Sequence, residues 1–223
     1  MNQIRKMLTL GIILSGGLLF GAEESEAFKA ASTAEISPLL YDFSVQDGKI
    51  TQKTNGYAAE YISITPDNKI LLIHDHNNNK AEYQCLQWRT PSVFDAKSGM
   101  FAFEWEVRVV STQADKPESF MVVIRSGEDK KLARTAVFRV AADFVSTPWG
   151  KFPVDASKPI VCRVLQDMST GDTALYVDGK FIASGLLKTE ADEKQRTCLV
   201  FGDGSGAVGG RVELGYFKVG EIE

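Results

Sequence analysis

The chain has 223 residues, 44% hydrophobic and 24% charged, with a formal net charge of −4. That mild acidity, with no stripe of Lys and Arg, argues against a nucleic-acid partner, whose phosphates call for clustered cations. Three cysteines are too few for a disulfide scaffold.

At the start of the chain, Arg5 and Lys6 precede an apolar run from Leu8 to Phe20 that only Gly and Ser interrupt. The polar stretch from Ala22 to Ala27 follows, with no stop-transfer pattern, which is the layout of a secretory signal. About 13 apolar-biased residues fall short of the roughly 20 needed to span a bilayer core. Cleavage is expected after Ala22 or Ala27, and Ser25-Glu-Ala27 places small residues third and last before the second cut. No cysteine lies near either point, which argues against a lipid anchor. No later window reaches membrane length, so the processed chain is expected in the periplasm or outside the cell, without membrane insertion. In that compartment Cys85, Cys162 and Cys198 fit either one bridge plus a thiol or three buried thiols.

With residues 1–27 as signal, 28–38 reads as a loosely ordered linker of small residues and 39–223 as one domain. From Leu39 onward, short runs of Val, Ile, Phe, Tyr and Thr alternate with Gly, Asp, Asn, Pro and Lys clusters. Ile70–His76 is expected to pair with Tyr83–Trp88. In Met100–Ser111, Phe101, Phe103, Trp105, Val107 and Val109 share one face, while Glu104, Glu106 and Arg108 share the other. Phe120–Arg125 and Leu132–Ala141 flank a hairpin loop at Gly127–Lys131, and Ile160–Leu165 is a further strand. Asp178-Gly179 joins Thr173–Val177 to Lys180–Ala183, and this dipeptide favours a type I′ turn. Thr197–Phe201 and Arg211–Val219 close the series. Ten or so strands without intervening helices predict an all-β fold: two antiparallel sheets packed as a β-sandwich, or a jelly roll.

Two segments carry a family resemblance. Thr173-Ala-Leu-Tyr-Val-Asp-Gly179 resembles a hairpin of the concanavalin A-like lectin/glucanase superfamily, in its laminin-G-like branch. Phe201-Gly-Asp-Gly-Ser205, followed by Val212–Val219, resembles the closing strands of its bacterial members, where the last strand returns beside the first. Tyr41-Asp-Phe43 would lie in that first strand. The resemblance implies a concanavalin A-like jelly roll whose face or rim binds a polysaccharide or cell-surface glycan, in some members with calcium. It implies no activity, since the fold hosts lectins, hydrolases, lyases and adhesion modules.

Glu104 and Glu106 project from one strand face, a spacing that suits the carboxylate pair of a glycoside hydrolase. The resembled hydrolases add a further Glu where this chain has Val109, and a solvated sheet face explains the pair equally. Tyr216-Phe-Lys-Val-Gly220 resembles a C-terminal motif of alginate-lyase-type enzymes, in which a Tyr transfers a proton; Tyr216 and Lys218 are the candidates here. The companion Arg-x-Glu-x-Arg and Gln-x-His strands are missing, so the residues that would neutralise a uronate carboxylate are not in place. Simple alternation along a final strand accounts for the same residues.

His74 and His76 share a strand face and could begin a zinc site, but no third ligand is evident. Asp75-x-Asn77-x-Asn79 has the oxygen spacing of a calcium loop, yet Lys80 replaces its Gly and Leu86 its bidentate Glu. A polar hairpin tip needs no ion, so calcium stays open and no other cofactor is indicated. The Gly202–Gly206 run lacks the helix and Lys of a phosphate loop. For a sugar-stacking ring, Trp149 in Thr147-Pro-Trp-Gly-Lys151 comes first, and Trp88 with Arg89 second; Trp105 goes to the core. The expected function is a non-catalytic binding module. A polysaccharide-cleaving enzyme and a structural envelope protein are the alternatives.

Overall fold

The structure is a computed structural model that describes residues 23–54, 56–74, 85–88, 99–129, 132–187, 189–191, 198–203 and 208–222. It opens with the helix α1 (Glu26–Ala31) and the strands β1 (Leu39–Gln46), β2 (Lys49–Ile50), β3 (Ile62–Ile64) and β4 (Ile70–Ile73). Next come β5 (Cys85–Trp88), β6 (Met100–Ser111), β7 (Glu118–Asp129) and β8 (Leu132–Ala141). Then follow β9 (Phe144–Thr147), β10 (Gly150–Pro153), β11 (Ile160–Asp167) and β12 (Asp172–Val177). β13 (Lys180–Leu186), β14 (Thr189–Ala191), β15 (Cys198–Gly202) and β16 (Arg211–Ile222) complete the series.

Among the described residues these strands form two antiparallel sheets, the β-sandwich that the alternation predicts. One sheet runs β13-β12-β11-β6-β16-β1-β2, with β4 also on β16 and β3 on β4. The other runs β10-β9-β8-β7-β15-β5, with β14 on β8. β16 is the keel of the first sheet: β6 follows one of its edges, while β4 and then β1 share the other. The last strand therefore lies beside the first, as the resemblance implies.

An aromatic ladder joins the two layers. Trp105 of β6 stacks on Phe217 of β16 at 5.5 Å, and Phe217 stacks on Phe201 of β15 at 4.5 Å. Phe201 meets the edge of Phe43 from β1 at 5.2 Å. All four rings are fully buried, and each such burial is worth about 1.5–3 kcal/mol before entropy is charged. The five apolar residues of β6 assigned to one face all lie in this core. At the β12–β13 turn, Asp178 and Gly179 both have positive φ, 49° and 72°, as type I′ requires. Asp178 also ties the turn to β11, accepting from the Val161 amide at Oδ1 and donating its own amide to the Val161 carbonyl, both at 2.8 Å.

Two expectations change. β4 and β5 do not pair; they belong to opposite sheets, because β4 docks on β16 and β5 on β15. Residues 28–38 are also not wholly irregular, since α1 reaches into them. Six residues cannot sustain a helix alone, so packing supplies the stability. Phe28 and Ala31 are buried against Ala102, Leu165, Ala174 and Tyr176 on the outer face of the first sheet, where the two sheet alanines let the helix approach. Beyond the helix, the chain crosses Gly220 so closely that a Cβ there would collide with Ile36 and the Pro38 carbonyl.

Candidate functional site

The outer face of the first sheet collects most of the described residues that could do chemistry. Strand register sets Asp42, Lys218, Glu104 and Arg163 side by side across β1, β16, β6 and β11, a row of alternating charge. Glu104 takes Arg163 at 3.1 Å through one carboxylate oxygen and the Tyr216 hydroxyl at 2.9 Å through the other. Glu106 takes Lys69 at 2.5 Å, and Arg108 pairs with Glu213 at 3.0 Å. The Lys218 ammonium sits 4.9 Å from the centre of the Tyr216 ring. Arg163 further donates to the carbonyls of Ala31 and Ala34, closing the C-terminal end of α1.

Tyr216 and Lys218 reach this face through a break in alternation. Val212 and Leu214 point into the core, but so do Phe217 and Val219. The change of parity falls at Gly215, where the register with β6 slips between Leu214 and Tyr216. A Cβ at Gly215 would strike the Glu106 carboxylate, so the bare backbone makes room for the very side chain it faces.

The electrostatics hold the Tyr216 phenol protonated, which opposes its acting as a base. Burial first, and the Glu104 carboxylate second, push its phenol well above the usual tyrosine range. A general base at neutral pH needs the reverse. Glu104 and Glu106 share one face, as their spacing predicts, but each is matched to a cation rather than left facing its twin.

The remaining candidates scatter. Trp149, in the β9–β10 turn, is partly buried: its indole lies over Gly185 of β13, where a Cβ would collide with it. It also meets the edge of Phe138, with centroids 6.3 Å apart, so the ring bridges the two sheets at one end of the sandwich. Trp88 ends β5 with its backbone paired to Leu199; its side chain, together with Arg89, Asp75, His76, Asn77 and Asn79, lies outside the described residues.

His74 is fully buried. Its Nδ1 lies 2.8 Å from the Ser119 carbonyl, which can only accept, so Nδ1 carries the proton and Nε2 accepts from the Tyr57 hydroxyl at 2.9 Å. Both ring nitrogens are thus engaged. Burial raises the Tyr57 phenol well above its ordinary value, Cys85 and Asp203 add to the shift, and the Asp203 backbone amide partly offsets it. Among the described residues no group of three or more His, Cys, Asp or Glu side chains is placed to hold a metal, and no helix is long and apolar enough to cross a membrane. Cys85, Cys162 and Cys198 are all unbridged.

Arg163, Lys69 and Tyr57 are the neighbours of the candidate residues that sequence reasoning passes over. Arg163 is 59 residues from Glu104, and Lys69 is 37 from Glu106. Only strand pairing brings them together, and no local motif marks them.

No protein-family description matches this sequence, and no curated protein is similar to it. Solved structures do resemble the fold. The binding domain of botulinum neurotoxin DC, in complex with rat synaptotagmin II, aligns with a TM-score of 0.52 and 12% identity, covering 83% of this chain and 49% of that one. The same toxin domain in complex with SialylT gives 0.50 and 11%, over 84% and 49%. A carbohydrate esterase of the Shiga toxin-encoding bacteriophage phi24B gives 0.56 and 8%, over 73% and 86%. The chain spans about half the length of the toxin domains it matches. What these likenesses establish is the fold: two antiparallel sheets in a β-sandwich.

Proposed function

We propose that the chain is an exported, non-catalytic binding module that recognises a polysaccharide or a cell-surface glycan from the periplasm or the cell exterior. The concanavalin A-like resemblance supports this reading, and so do structural neighbours described as the binding domain of a botulinum neurotoxin and a carbohydrate esterase. The observation that carries it is the commitment of the would-be catalytic groups to one another. Glu104 is held by Arg163 and Tyr216, and Glu106 by Lys69, so the sheet face is braced for rigidity, as a recognition scaffold needs. A glycan array followed by calorimetry, with and without calcium, tests the proposal. Saturable binding to one class of polysaccharide is expected; no binding to any polysaccharide or surface extract would overturn it.

A further inference from the structure

One end of the space between the sheets is polar. Gln166 of β11 and Thr173 of β12 stand in register on the first sheet, each 1% exposed. From the second sheet come Ser126 of β7, 2% exposed, and its cross-strand neighbour Arg134 of β8, 9% exposed. Each lies two residues from a member of the apolar core, Val164, Leu175, Ile124 or Ala136, so alternation aims all four side chains inward. Contacts join them. Thr173 donates through Oγ1 to the Gly171 carbonyl at 3.2 Å, and a Cβ on Gly171 would strike the Arg134 side chain. Arg134 in turn donates to the carbonyls of Met168, at 2.8 Å, and Ser169, at 3.3 Å, in the turn that follows β11.

Two of these residues lack what their burial demands. Neither Oε1 nor Nε2 of Gln166 has a hydrogen-bond partner among the described residues, and neither has Ser126 Oγ. A carboxamide taken out of water with both ends unmatched is costly, and buried groups of this kind are matched as a rule. Beside them, Thr173 Oγ1 keeps lone pairs that can still accept. Gln166 and Ser126 are neutral, and each can donate and accept, so the fitting ligand does both. Enclosure this complete selects the smallest molecule that can.

We infer that a water molecule is bound between the sheets, shared by the Gln166 carboxamide and the Ser126 and Thr173 hydroxyls. Roughly three such bonds are the usual holding of a buried water. The bridge ties β7 of one layer to β11 and β12 of the other. Thr173 is paired on its far side with Gly185, the glycine under the Trp149 indole, so the bound water braces the strand next to the one on which that ring rests.

High-resolution crystallography of the folded chain, with NMR detection of water contacts, tests this. The expected result is one ordered water within hydrogen-bond distance of Gln166 and of at least one of the two hydroxyls. Magnetisation should also pass from water to the Gln166 side-chain amide protons. Gln166→Met keeps an unbranched side chain while removing the carboxamide. It should abolish that transfer and lower the denaturation midpoint, because Ser126 then loses its partner. Ser126→Ala should cost less in the Gln166→Met background than in the wild type, since both residues use one water. A Gln166 amide paired directly with protein groups, no ordered water bridging the site, or a raised midpoint in Gln166→Met would overturn the inference. The wild-type density decides the matter even where a variant fails to fold.

Discussion

Gly215 decides where Tyr216 points. Strict alternation from Val212 and Leu214 would send Tyr216 and Lys218 into the core, and the slip at the glycine turns them outward beside Glu104. The placement of Glu104 and Glu106 on one face is legible in the sequence because β6 alternates without interruption; that of Tyr216 is less so, because Gly215 marks a place where a bulge can form but does not by itself say which residues then change face. The tyrosines give this scale its test. Tyr41, Tyr57, Tyr176 and Tyr216 all have phenols raised above the ordinary value of about 10, with burial the largest cause in each. Above about pH 10 the unfolded chain sheds these protons while the folded chain keeps them, so stability present below that pH falls as pH rises. In an alkaline titration their phenolate absorbance should therefore appear together with loss of tertiary signal. Reversible ionisation of all the tyrosines near pH 10, with the fold intact, would contradict this account.

Among the elements, the hairpins were easiest to read. Asp178-Gly179 adopts the positive φ pair its chemistry demands; Asp47-Gly48, between β1 and β2, is a turn the sequence reading passes over, and it does the same with φ of 49° and 71°. Helix α1 was illegible because six residues offer no 3.6-residue period; what stabilises it is a patch of Ala102, Leu165, Ala174 and Tyr176 brought from three distant strands. The separation of β4 from β5 was hidden for a related reason, since apolar runs near in sequence do not reveal which sheet each joins. Two glycines separate space from backbone strain as reasons for having no side chain. Gly185 lies under the Trp149 indole, so Gly185→Ala should displace that ring, shift tryptophan fluorescence and cost about 1–3 kcal/mol by overpacking. Gly179 faces open space at φ +72°, so Gly179→Ala should cost roughly 1 kcal/mol from the left-handed backbone and leave the fluorescence unchanged. Chemical denaturation with fluorescence detection reads both, and an unchanged spectrum in Gly185→Ala would show that the sheets do not lean on Trp149 as described.

For the whole molecule, composition and alternation predict two layers, and the aromatic ladder from Trp105 through Phe217 and Phe201 to Phe43 fastens them. The candidate site was less legible, because its character comes from Arg163 and Lys69, which complete it only through the register of β11 on β6 and the reach of the β3–β4 turn. With its carboxylates matched to cations and its tyrosine held protonated, this face is built to stay as it is, which is why binding without turnover is the central claim. Incubating the folded chain to saturation with the polysaccharide it binds, then measuring that polymer's chain length and unsaturated ends, tests the claim most directly. The expected result is a polymer of unchanged length with no new unsaturation; shortened chains, with the shortening lost in Tyr216→Phe, would contradict it.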